Sequence, residues 1–181
     1  MGGYWKSDRL ELMLEDTLAK KYGQGDWIVN ESNQNIFLNR ALIQSKKLSL
    51  KEMQYEVATL ALDFPEVHQA FTSSDLNQFR GGDLIKSMAQ NGFDSSRSGD
   101  VVYILKPGYI EYGMTGTTHG SPYTYDTHVP AIFFGAGVRK GETFERFTIA
   151  DIAPTVSMLA GFALPDASTG IPIVESIAPR R

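Results

Sequence analysis

The chain has 181 residues, of which 42% are hydrophobic and 21% charged, with a formal net charge of −4 and no cysteine. That length and balance suit a folded protein of one domain, or of one domain with a subdomain. The acidic balance and the lack of any Lys/Arg cluster argue against nucleic acid as the main partner, and the absence of Cys excludes disulfides, thiolate metal sites and Cys nucleophiles.

No apolar run approaches a membrane span, and no signal peptide opens the chain. Met1-Gly2-Gly3-Tyr4-Trp5 reads as a cut inside a longer protein. Ser7 and Asp8 predict the cap of a helix that carries Leu10, Met13, Leu14 and Leu18 on one face and stops at Gly23. Residues 26–31 and 35–39 alternate around Ser32-Asn33-Gln34, which predicts a hairpin. Ser49 and Glu52 form a capping-box pattern, and the helix they open turns Leu50, Met53, Val57, Leu60 and Ala61 inward. After Pro65, residues 67–71 are a short strand. Ser74-Asp75 and Asp83 precede helical stretches, the second stopped by Gly92. Val101 to Leu105 is a strand closed by Pro107-Gly108. Ala131-Ile132-Phe133-Phe134 reads as a buried strand. Thr148 or Asp151 caps a last helix bearing Ile152, Val156, Met158 and Leu159, which Gly161 stops. From Pro165 the tail is loop. The order of elements gives an α/β or mixed α+β chain, with its best boundary in the polar stretch 91–99. The expected division is an auxiliary α+β subdomain over 1–95 and strands, a ligand loop and a final helix over 96–181.

The segment between the strands at 101–105 and 131–134 carries the chemistry. Gly116-Thr117-Thr118-His119-Gly120-Ser121-Pro122-Tyr123-Thr124-Tyr125-Asp126-Thr127-His128-Val129-Pro130 puts two of the three histidines and a carboxylate in one loop. Ligand side chains on loops at strand ends are how open α/β sheets build sites. A catalytic zinc normally takes three protein ligands and an open position, so the loop is either a whole site or one wall of a larger one. Gly120 beside His119 lets backbone and ligand approach closely. His128 reads either as a ligand or as a buried imidazole hydrogen-bonded to Asp126. Asp126 is a turn carboxylate on its plainer reading, and Asp151 a helix cap. His68 lies near a strand with no partner in sequence. Arg97 and Lys106 are isolated cations, for which a solvated surface is the ordinary answer.

Several strings occur together and in order: Asn91-Gly92-Phe93, Arg97-Ser98-Gly99-Asp100-Val101-Val102, Lys106-Pro107-Gly108, the loop 116–130, and Asp151-Ile152-Ala153-Pro154-Thr155. With them the chain resembles the C-terminal part of a Bacteroidetes-type, phosphate-irrepressible alkaline phosphatase. That group belongs to the alkaline phosphatase and nucleotide pyrophosphatase/phosphodiesterase superfamily. The resemblance implies the C-terminal portion of an alkaline-phosphatase-like α/β sandwich. It implies a parent with two zinc ions, a Thr or Ser nucleophile, a phospho-enzyme, and a small-molecule phosphate ester as substrate. The His of the T-H-G motif, His119 here, is by that resemblance a zinc ligand. It must be neutral to bind, so affinity falls in acid. Thr118, Asp126 and His128 then order the loop or hold the ligand in place. A periplasmic or exported location is implied in the same way.

The family's remaining ligands come from an early Asp, a D-x-x-x-H motif and an A-D-H-G motif, and none of these occurs in the 181 residues. The nucleophile segment is absent too. The chain is therefore expected to hold no catalytic residue of its own, to supply one ligand to the missing N-terminal part of the same polypeptide, and to be inactive alone. A phosphodiesterase or nucleotide pyrophosphatase parent is the alternative within the superfamily. Outside it stand an autonomous metal site from His119, Asp126 and His128, and a non-catalytic binding module. A Ser–His–Asp triad lacks its G-x-S-x-G elbow.

Overall fold

A computed structural model describes residues 2–78, 81–111 and 116–177. It divides into two compact units, Met1–His128 and Val129–Arg181. The first is built on a four-stranded antiparallel sheet in the order β2-β3-β5-β4, from β2 (Ile28–Ser32), β3 (Asn35–Leu38), β4 (Val67–Thr72) and β5 (Val101–Leu105). β2 and β3 form the expected hairpin. Asn33 and Gln34 both sit at positive φ, 51° and 60°, the twist that a two-residue turn needs to match its strands. Along β5 the burial alternates. Val101, Tyr103 and Leu105 face the core, and Val102 and Ile104 are half-buried on the other side.

Helix α1 (Ser7–Tyr22) buries Leu10, Leu14 and Leu18, an i, i+4, i+8 stripe. It starts at Ser7, so the cap position falls on Lys6, whose side chain offers no acceptor. Gly23 ends it as expected, at φ 90°. Glu15 ties it to the sheet, accepting from the backbone N–H of Trp27 at 3.1 Å and of Ile28 at 2.6 Å. Helix α2 (Arg40–Ser45) has no counterpart in the sequence reading, because six residues are too few to show a period. Asn39 caps it and Ile43 is its buried anchor. Helix α3 (Leu50–Ala61), capped by Ser49, buries Met53, Val57 and Ala61. Leu50 and Leu60 stay half-buried. Helices α4 (Ser73–Gln78) and α5 (Leu84–Gly92) follow, the second capped by Asp83 and running through Gly92.

The core gathers Trp5, Trp27, Ile36 and Tyr103 with the inward faces of α1 and α3. Asp100 sits among them, 2% exposed. Its carboxylate accepts from Leu38 N at 2.9 Å, Gln54 Nε2 at 2.9 Å and Arg40, whose NH2 is 2.9 Å away. A buried charge survives only with such company. Two short strands, β1 (Gly3–Trp5) and β6 (Tyr109–Glu111), pair in parallel, with Gly3 opposite Tyr109 and Trp5 opposite Glu111. A side chain on Gly2 would put its Cβ 2.1 Å from the Gly108 carbonyl oxygen, so this close approach requires glycine.

The division at 128/129 departs from the expected one at 95/96. β5 hydrogen-bonds between β3 and β4 and so lies in the first unit. Strand pairing overrides the polar stretch that precedes it.

The second unit holds a 3-10 turn (Ile149–Asp151) that runs into α7 (Ile152–Ala160), with Gly161 left-handed at its end. Asp151 Oδ2 accepts from Thr148 N at 2.7 Å and Thr148 Oγ1 at 2.9 Å, and its Oδ1 accepts from Ile171 N at 2.7 Å. Pro154 and Thr155 are buried, whereas Ile152 and Val156 are exposed. Thr155 Oγ1 accepts from Ile173 N at 2.8 Å and so turns the helix toward its own tail. The expected buried strand at 131–134 is absent: these residues are irregular, and Ile132 and Phe134 are exposed. A strand requires a paired neighbour, and no strand among the described residues pairs with this segment.

Candidate functional site

The His119 loop is fastened to the first unit by tyrosines. Tyr123 OH donates to the Leu105 carbonyl at 2.7 Å, at the end of β5. The Gly108 N–H donates to Tyr125 OH at 3.2 Å, and the two rings stack with centroids 5.8 Å apart. The tyrosines flank the start of α6 (Thr124–Thr127). Asp126, on that turn, accepts from the Ser121 N–H at 2.8 Å and closes the loop on itself. That amide chiefly, with the nearby His119 also contributing, holds the Asp126 carboxyl below the usual carboxylate range. Gly120 takes φ +106° and lets the chain turn sharply after His119.

The loop forms one wall of a cavity of about 470 Å³. Thr118, His119 and Asp126 line it on one side; the hairpin tip, Tyr109 and Glu111 complete it. The His119 ring is exposed and makes no hydrogen bond among the described residues. Thr118 Oγ1 lies 3.5 Å from the His119 carbonyl, too far to order the loop strongly.

Glu31 faces the same cavity and is only half-buried. Tyr103 OH donates to its Oε1 at 2.7 Å, and Trp5 Nε1 donates to Tyr103 OH at 2.9 Å. Burial pushes the Glu31 carboxyl above the usual range, the Tyr103 hydrogen bond opposes this, and Glu111 adds to the rise. Burial, and then Glu31, push the Tyr103 phenol far up as well.

Of the residues singled out from sequence, His119, Asp126 and Thr118 are brought together and His128 is not. His128 caps the end of α6, exposed, and its side chain makes no hydrogen bond among the described residues. Positions two apart on a helical turn face different ways, so Asp126 and His128 do not pair. His68 lies inside β4 and is exposed, its ring centroid 6.4 Å from that of Tyr123. Arg97 is an exposed partner of Asp94 at 3.8 Å. Glu31, Tyr109 and Glu111 were missed. No spacing rule links them to His119, since only strand pairing brings the hairpin and β6 to the loop. Tyr125 was legible within the same motif string but carried no sign of its role as an anchor.

Comparison with known proteins bears on this loop and the sheet that carries it. Alkaline phosphatase PafA of Elizabethkingia meningoseptica is 34% identical over 161 residues, covering 88% of this chain and 30% of its own length. The crystal structure of wild-type alkaline phosphatase PafA superposes with a TM-score of 0.85 and 31% identity, over 98% of this chain and 34% of that one. The chain is an alkaline phosphatase-like region. Its relationship lies with phosphate-ester hydrolases. A protein of Myroides odoratus named as a calcium-transporting ATPase is 29% identical over 177 residues, 97% of this chain and 32% of its own length. No family model matches. The alkaline phosphatase-like chain thus spans about a third of the length of the curated relatives it matches.

Alkaline phosphatases are typically metal-dependent, and the residues present fit a metal ion only in part. The exposed His119 imidazole is a suitable donor on a cavity wall. Among the described residues, however, no group of three His, Asp or Glu is placed to hold a metal ion. Asp126 Oδ2 is already committed to the Ser121 N–H. The autonomous site of His119, Asp126 and His128 therefore does not form. No helix among the described residues is long and apolar enough to cross a membrane.

Proposed function

We propose that this alkaline phosphatase-like chain is the C-terminal portion of a zinc-dependent phosphate-ester hydrolase and presents His119 as one ligand of its metal centre. The observation that carries the reading is His119 itself, an exposed imidazole on a cavity wall, on a loop held by Tyr123 to the end of a core strand. A ligand must sit on a rigid support if its metal is to be held at a defined distance. Asp126 and the tyrosines supply that support here, and Thr118 lines the approach. Zinc, when bound, polarises a phosphoryl oxygen and stabilises the charge that develops there. This chain contributes the donor nitrogen, in its neutral form, and a wall that shapes the cavity. The remaining ligands and a Thr or Ser nucleophile come, in this reading, from the preceding part of the same polypeptide. An exported, periplasmic location belongs to the same proposal. The substrates are small-molecule phosphate esters.

The test uses a chimera in which this chain replaces the matching third of PafA. The expected result is turnover of an aryl phosphate and bound zinc, with His119→Ala lowering both and His128→Ala leaving both nearly unchanged. The 181-residue chain alone is expected to show neither turnover nor stoichiometric zinc. Undiminished zinc in the His119→Ala chimera would end the proposal.

A further inference from the structure

The first unit holds another cavity, of about 430 Å³, between the β2–β3 hairpin and the turn that follows α5. Strand register builds its floor. Asn30 pairs with Phe37 and Ser32 with Asn35, and side chains opposite one another on a pleated pair have Cβ atoms about 5 Å apart on one face. Ile36 and Leu38 point the other way, into the core, and Glu31, opposite Ile36, belongs to that inner face as well. The outward face therefore carries two carboxamides, a hydroxyl and one half-buried aromatic ring. Asp94, Arg97 and Ser98 form the rim.

The walls are fixed to each other. Gly99 is buried, and a Cβ there would stand 2.7 Å from the Ile36 carbonyl oxygen, so glycine lets the turn close on the hairpin. Asn35 Oδ1 accepts from the Gly99 N–H at 2.9 Å, and Asn35 Nδ2 donates to the Asn33 carbonyl at 2.9 Å. Asp94 shapes the turn: its Oδ1 accepts from Ser96 N at 2.9 Å, and its own N–H donates to Ser98 Oγ at 3.0 Å. Beside these committed groups stand open ones. The Asn30 carboxamide makes no hydrogen bond among the described residues. The Arg97 guanidinium lies 3.8 Å from Asp94, beyond hydrogen-bond reach, and keeps its donors available.

The lining selects the ligand. Asp94 and Arg97 offset one another, so an anion such as phosphate meets no net positive field. Carboxamides and hydroxyls both donate and accept hydrogen bonds, as the hydroxyls of a sugar do. An aromatic ring among them offers an apolar surface to the C–H face of a pyranose. The volume falls within the ~300–1,000 Å³ usual for small-ligand sites. We propose that the cavity between the β2–β3 hairpin and the turn 94–98 binds a neutral sugar unit, with Phe37 against its ring face and Asn30 and Arg97 hydrogen-bonded to its hydroxyls. The proposal uses no residue of the His119 loop and does not depend on the functional reading above.

The measurement is an NMR titration of the isotope-labelled chain with methyl β-glucoside, methyl α-mannoside and the disaccharide cellobiose. At least one of them is expected to saturate with a Kd of about 0.1–10 mM, moving amides of 30–37 and 92–98 and leaving those of α1 and α7 in place. Tighter binding of cellobiose than of either monosaccharide supports the site and assigns it to a glycan chain; equal or weaker binding supports it and assigns it to a single sugar unit. Asn30→Ala and Arg97→Ala change exposed side chains, and each should weaken binding about fivefold, the share of one lost hydrogen bond. Phe37→Leu keeps an apolar side chain but removes the ring, and should weaken it further, with unmoved α1 and β5 amides as the check that the fold survives. No saturable shift with any of the three sugars up to about 50 mM would overturn the proposal. So would binding that all three variants leave unchanged, or inorganic phosphate moving the same amides at lower concentration than the sugars. Saturation transfer to the glycoside protons from the PafA chimera is expected as well. Its loss there, when the chain alone binds, would mean that the preceding polypeptide fills the cavity, and would overturn the site.

Discussion

Asp100→Ala should be among the most destabilising single changes in the first unit. The carboxylate is buried and serves three neighbours from different elements: Leu38 N on β3, Gln54 Nε2 on α3, and the Arg40 guanidinium at the start of α2. The three losses differ in cost. The Leu38 N–H is buried and has no other acceptor among the described residues, so its desolvation is uncompensated, at about 1–3 kcal/mol. Gln54 keeps its second bond, from Nε2 to Ser73 Oγ at 2.9 Å, and loses less. Arg40 has a side chain 57% exposed and can return to water, so its share is small, about 0–1 kcal/mol. Together these give about 3 kcal/mol, a large part of the ~5–15 kcal/mol that holds a domain together. Asp100→Asn keeps one acceptor oxygen but turns an N–H toward other donors, and should cost about 2 kcal/mol. Arg40→Ala leaves the buried Asp100 carboxylate without its cation and should cost about 1.5–3 kcal/mol. The assay is urea unfolding followed by tryptophan fluorescence, since Trp5 and Trp27 are both buried in this unit. An Asp100→Ala protein within about 0.5 kcal/mol of the parent would refute the reasoning, because surface-like changes fall in that range.

Three further outcomes follow from the same geometry. Tyr123→Phe removes the hydroxyl that donates to Leu105 O and should cost about 1 kcal/mol, with faster amide exchange across 119–128 and little change in β5. Glu31 holds its proton to higher pH in the folded chain than in the unfolded one, chiefly through burial. The stability this gives is complete in acid, below the unfolded carboxylate range, and is lost as pH rises through the raised value. Glu31→Gln should therefore stabilise the protein at pH 7 and make little difference in acid; denaturant midpoints at several pH values would read this directly. Asp151 behaves in the opposite way, its carboxyl lowered first by the Thr148 N–H and then by that of Ile171. Its contribution is present above the ordinary carboxylate range and lost as pH falls through the depressed value. Protection of the Ile171 amide should fall along that limb, and Asp151→Ala should abolish it at neutral pH.

Much of the first unit was legible because its signals are local. The α1 stripe of Leu10, Leu14 and Leu18, the Ser49 cap of α3, the Asp83 cap of α5 and the apolar run of β5 each lie within one element, and such a signal is satisfied there or not at all. The elements that escaped, β1, α2, β6 and α6, have three to six residues. In such short runs a period cannot be counted. The strand expected at 131–134 shows the reverse error. Its composition is right, but composition states only what a segment would do with a neighbour beside it.

For the site, the order of residues in 116–128 determined only that His119, Asp126 and the two tyrosines share one loop, with His119 and Asp126 at most about 25 Å apart. Which of them face one cavity was decided by tertiary structure alone. Asp126 turns back to Ser121 while His128, two residues on, points away. Glu31 and Glu111 line one cavity with His119, placed there by the β2–β3 hairpin and by the pairing of β6 with β1. Hydrogen bonds between strands join residues that the chain keeps far apart, and no local pattern records which strand will lie beside which.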